Sequence, residues 1–224
     1  MRNVTTAGGV AAFYIAAAYS AAIPYFLRVV NYPGVVDPVE KVALLRAHYR
    51  SLYAMHLVVY ECVALALIVL AVALHERMRV ATPVWARITM VLGLTWAALL
   101  LASSMVFNYG MGAVIELHAV DPMRAAWTWQ VIETVAQGTG GAGGELLGGL
   151  WMLALSSAAY RARAFPRGVI GFAAVIGVIG LVSIVPALRD AGVAFGVLQI
   201  VWFAWVGVVL LRGQETPVPG RGAT

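Results

Sequence analysis

Charge is scarce in this sequence. Asp, Glu, Lys and Arg make up 11% of its 224 residues, against about 25% in an ordinary soluble domain. Lysine occurs once, at Lys41, and cysteine once, at Cys62. A single cysteine excludes a disulfide scaffold. The net charge of +5 comes with no Lys/Arg block, so it does not describe a nucleic-acid-binding surface. What fills the chain instead is apolar: 62% of residues are hydrophobic and the mean hydropathy is +0.87. That excludes a water-soluble enzyme domain and a disordered chain.

A helix that crosses a bilayer needs about 20 mostly apolar residues. Six stretches meet this: Gly8 to Leu27, Tyr53 to Leu74, Val84 to Phe107, one within Ala125 to Tyr160, Val169 to Leu188, and Gly192 to Leu211. The expected fold is therefore all-α, a polytopic bundle of six transmembrane helices forming one domain over residues 1–212. A flexible Gly/Pro-rich tail, 213–224, follows. The first stretch outruns a signal-peptide core and is expected to be retained. Arg2, Arg77, Arg79, Arg87, Arg161, Arg163, Arg167, Arg212 and Arg221 fall on one side of this arrangement, and the remaining six basic residues on the other. The basic excess places both termini in the cytoplasm and the protein in the cell inner membrane. Residues 31–52 form the long outer loop, in which Asp37-Pro38 opens a short amphipathic helix.

The fourth stretch is 36 residues long, about 54 Å as a helix. It must tilt, protrude or break, and the glycines from Gly138 to Gly144 are the natural place for a break. Gly138, Gly140 and Gly143 spell G-x-G-x-x-G, but no strand precedes them, so a dinucleotide site is rejected. Gly140, Gly144 and Gly148, spaced four apart, form a smooth helix face for close packing, and Gly192 with Gly196 repeats the spacing.

Ionisable groups inside apolar stretches are costly and mark function by default. His56, Glu61, Glu133 and Glu145 are the candidates. Under the expected topology, His56, Glu61, Glu133, Asn108 and Arg28 reach one level and converge on an outward-facing pocket, with Glu145 deeper. Tyr49, Tyr53, His56 and Tyr60 share one helical face. They line a wet cavity or form an interfacial aromatic belt; both readings stay open. In the pocket Glu61, Glu133 and His56 are the polar anchors, Asn108, Tyr53 and Tyr60 orient a ligand, and Arg28 pairs with a carboxylate or an anionic headgroup; the other reading of Glu61 and Glu133, as protonated structural hydrogen-bonders, stays open. On a regular helix His56 and Glu61 point about 140° apart, poor geometry for a shared metal. Haem lacks a second buried histidine and retinal lacks a buried lysine. No metal and no cofactor are expected.

The run Gly148-Gly149-Leu150-Trp151, then Arg161, Arg163, Pro166, Gly171, Gly196, Gln199, Trp202, Trp205, Gly207 and Leu210-Leu211-Arg212, resembles a bacterial family of integral membrane proteins known only as a domain of unknown function. The resemblance implies a multi-helix bacterial membrane protein and supplies no catalytic residue or substrate. The function expected from the residues is binding, with or without transport, of a small ligand or proton in the polar pocket. The alternatives are a non-catalytic accessory subunit of a membrane complex and a membrane-embedded enzyme acting on a lipid or quinone. The expected partners are membrane lipids, a small-molecule ligand and a membrane-protein partner or second copy, and not nucleic acid.

Overall fold

A computed structural model describes residues 2–140 and 145–212. Within them the regular elements are all helices. Helix α1 (Arg2–Pro24) ends at a proline and widens into a π turn, Tyr25–Val29. Proline removes a backbone donor, which loosens the regular ladder at that point. Asn31 then adopts a left-handed conformation (φ 52°), which asparagine tolerates better than most residues. Helix α2 (Pro38–Ala47) begins where Asp37 accepts hydrogen bonds from the backbone N–H of Val39 and Glu40, both 2.9 Å. A short helix does open at Asp37-Pro38, with proline at the first helical position.

Helix α3 (Tyr49–His56), a second π turn (Leu57–Glu61) and α4 (Cys62–Met78) form one continuous rod. Helix α5 (Pro83–His118) follows, then α6 (Pro122–Gly140), α7 (Leu146–Ala162), α8 (Arg167–Val182) and α9 (Ala191–Arg212). Counting α3 and α4 as one rod, the described residues form 8 helices.

The expected count of six membrane-spanning helices is corrected by these lengths. Among the described residues four helices are long and apolar enough to cross a membrane: Asn3–Val29, Tyr49–Met78, Pro83–His118 and Ala191–Arg212. The fourth stretch is not one span. It is divided between α6 and α7, and Glu145, with φ −85° and ψ 55°, stands outside either helix. The fifth stretch stops early, because α8 ends at Val182 after 16 residues and a short 3-10 turn, Pro186–Leu188, follows. Sixteen residues reach about 24 Å, short of a hydrocarbon core of about 30 Å. The four long apolar helices remain consistent with embedding as a multi-pass membrane protein.

The core explains where the shorter helices go. Helices α1, α4, α5, α7, α8 and α9 close a ring through adjacent contacts. Its interior is aromatic. Trp151, fully buried, meets Trp96 at 5.6 Å and Trp202 at 5.8 Å between ring centroids, and the Trp202 indole donates to the Val169 carbonyl (3.2 Å). A second core lies at one end, where α2, the start of α3 and α6 pack on the last third of α5 around Leu45, Leu52, Met111 and Trp129. Helix α6 therefore belongs to this end cap, fastened to α5 where Ser103 donates to the Ala136 carbonyl (2.8 Å).

The glycines singled out in the sequence divide. A Cβ on Gly148 would stand 2.6 Å from the Phe195 ring and one on Gly140 2.5 Å from Ser103 Oγ. Gly192 meets only Ser183, at 3.8 Å, and Gly196 has nothing within 4 Å. Gly144 and the tail lie outside the described residues. A close approach to a neighbouring backbone belongs to a glycine outside the four-residue spacing: a Cβ on Gly149 would stand 2.9 Å from Leu181 N and 3.0 Å from Gly177 O.

Candidate functional site

The second π turn builds the site. Its i→i+5 bonding is visible where the Cys62 N–H donates to Leu57 O. The Val58 carbonyl takes the Tyr14 hydroxyl of α1 as a partner, at 2.8 Å. A π turn holds more residues per turn than an α turn, so positions five apart return to one face, and such insertions recur at functional sites. Here it turns both His56 and Glu61 toward α5. On that helix Ser104, Phe107 and Asn108 share one face by their three- and four-residue spacing. Phe107 stacks on the His56 ring (3.7 Å between centroids, 12° between planes). Ser104 Oγ and Asn108 Nδ2 donate to Glu61 Oε1, at 3.1 and 3.4 Å.

Beside Glu61 runs an open groove of about 540 Å³ between the α3–π-turn stretch and the end of α5. Tyr49, Tyr53 and Glu61 form one wall; Met105, Asn108, Tyr109, Gly112, Ala113 and Glu116 form the other. Tyr49 and Tyr53 rings meet at 6.1 Å. Tyr109 stands 85% exposed at the rim, whereas Asn108 is 4% exposed at the base. Because the Asn108 amide nitrogen faces Glu61, its Oδ1 is left buried without a hydrogen-bond partner.

Three of the expected ligand-binding residues thus meet at the groove: Tyr53, Glu61 and Asn108. The other four do not line it. His56 is buried in an aromatic box, between Phe107 and Tyr60 (4.9 Å, 13°) and edge-on to Phe26 (5.8 Å). Glu133, on α6, accepts from the Tyr32 hydroxyl (2.8 Å) and from Gln137 Nε2 (3.2 Å). Arg28 is exposed on the first π turn. The tyrosine stripe is therefore split: Tyr49 and Tyr53 face the groove, while Tyr60 stacks on His56. Glu145 sits at the start of α7, where its backbone N–H donates to Ser183 Oγ (3.0 Å).

The end cap is clasped over this region. The Lys41 ammonium donates to the Tyr32 carbonyl and lies 3.9 Å above the Tyr32 ring centroid. Burial lowers the Lys41 pKa from its ordinary value, partly offset by Glu133. Burial, reinforced by Glu133, raises the Tyr32 phenol well above the usual range. Tyr32 therefore stays a neutral donor to the Glu133 carboxylate.

Glu116 and Tyr109 were not among the expected site residues. The spacing Met105, Asn108/Tyr109, Gly112, Glu116 is a helical face and was the available signal. Reading the third span as ending near Phe107 hid it, because α5 continues to His118. Among the described residues no three His, Cys, Asp or Glu side chains converge as a metal site requires. No protein-family model, curated protein or solved structure matches the chain.

Proposed function

We propose that this is an integral membrane protein that binds a small ligand in the groove beside Glu61. The observation that carries the reading is the placement of that carboxylate. It sits within a long apolar rod, is fixed by Ser104 and Asn108, and borders a groove of about 540 Å³. A carboxylate in such a setting is costly and is retained for work at a cavity. The volume falls within the range of about 300–1,000 Å³ typical of small-molecule sites. The setting we propose is a bacterial inner membrane, with lipids around the exposed apolar faces of the long helices.

The test is native mass spectrometry of the gently extracted full chain, wild type against Glu61→Ala and Gly112→Leu. Gly112 borders the groove, and a Cβ there would already stand 3.5 Å from the Tyr49 hydroxyl, so leucine fills the space. A co-purifying small molecule present on the wild type and lost from both variants is expected. The same molecule retained equally by all three proteins would overturn the assignment.

A further inference from the structure

We propose that the ligand's recognised group is an alkylammonium, held between Glu61 and the tyrosine rings. The inference rests on the groove being a ligand site, as argued above, and adds the chemical class.

The lining is one-sided in its chemistry. Its charged side chains are the carboxylates Glu61 and Glu116, and no Lys, Arg or His lines it among the described residues. Arg46 and Arg50, near in sequence, are exposed and are not part of the walls. The local donors of Ser104 and Asn108 are already committed to Glu61 Oε1. An anion entering here would meet two carboxylates, whereas a cation would supply the positive charge the walls lack. The aromatic content points the same way. Tyr49, Tyr53 and Tyr109 present rings from both walls, and tyrosine faces attract ammonium groups.

Depth adds a further constraint. Both walls come from one end of long helices, the start of the Tyr49–Met78 rod and the last third of α5. Helix α5 has 36 residues and reaches about 54 Å, well beyond a hydrocarbon core of about 30 Å. The groove therefore sits toward the membrane surface, where an amphipathic cation keeps its charged head in the groove and its tail in lipid. An ammonium at that level has two sources, a free organic cation and the headgroup of a neighbouring lipid.

The experiment separates the class from the site and the two sources from each other. Full-length protein in neutral maltoside micelles is titrated calorimetrically with choline and with 3,3-dimethylbutanol, its uncharged isostere. In parallel, protein in nanodiscs of mixed phosphatidylethanolamine and phosphatidylglycerol is analysed for retained lipid. Glu61→Gln and Gly112→Leu are carried through both, with thermal melting to confirm folding. Choline binding at least tenfold tighter than its isostere, and weakened about tenfold by Glu61→Gln, supports the ammonium site with a free cation as its source. Selective retention of phosphatidylethanolamine, erased by Glu61→Gln, supports it with a headgroup as its source. Equal binding of choline and its isostere, both abolished by Gly112→Leu, overturns the ammonium class and leaves the groove standing. No binding of either probe and no headgroup preference also overturns the class; native mass spectrometry of the wild type against Glu61→Ala and Gly112→Leu then judges the groove separately.

Discussion

Glu61 was legible as a functional candidate because a carboxylate amid Val, Leu and Tyr demands an explanation. Its partners were partly legible, since Ser104 and Asn108 lie one helical turn apart. Glu133 was equally conspicuous, yet it serves the end cap: the Tyr32 hydroxyl donates to it at 2.8 Å, a contact between residues 101 apart that no local pattern announces. That contact yields a pH prediction. The Tyr32 pKa is raised in the folded state, while an unfolded tyrosine titrates near 10. Below pH about 10 both states keep the proton and the contribution is complete. Above it the unfolded chain loses its proton first, so stability falls as pH rises. Tyr32→Phe should cost about 1 kcal/mol at neutral pH. The difference in unfolding midpoint between wild type and variant should shrink as pH rises above 10. Lys41, lowered by burial, gives a contribution of opposite slope in the window below its ordinary value, but it is present in both proteins. A pH-independent difference across that range would show that the phenol's proton is not what matters.

Single residues do not explain why His56 and Glu61 face the same helix; the element does. A regular α-helix would point them apart, and that regular spacing is all that counting along the chain can supply. The π turn depends on long-range support, the Tyr14 hydroxyl on the Val58 carbonyl, so its position was hidden from local reading. Tyr14→Phe removes that hydrogen bond, at a cost of about 1 kcal/mol. The variant should melt at lower temperature and bind the co-purifying ligand more weakly, although Tyr14 does not line the groove. A variant with lowered stability and unchanged ligand retention would show that the π turn does not position Glu61. Element ends were the other hidden feature. Helix α5 runs on through Gly110 and Gly112 to His118, because Phe107, Met111 and Val114 find a core in the end cap. Helix α8 stops at Val182, and Ser183 turns its hydroxyl back to the Gly180 carbonyl (2.7 Å).

At the scale of the whole molecule, the all-helical, membrane-directed character was written in composition, and the number of spans was not. Apolar content measures how much surface avoids water, whether it faces lipid or other helices. Trp151, Met152 and Ala158 of α7 are buried within the ring, so that helix's hydrophobicity is spent on the protein core as well as on any membrane. The ring and the end cap meet along α5, and the groove opens on that same helix. One structural measurement tests the account most directly: a map of the protein extracted gently from native membranes, with its bound small molecules retained. Ligand binding in the groove predicts non-protein density between Tyr49, Tyr53 and Tyr109, in contact with the Glu61 carboxylate. A groove closed by the protein's own side chains, with density only elsewhere, would contradict it.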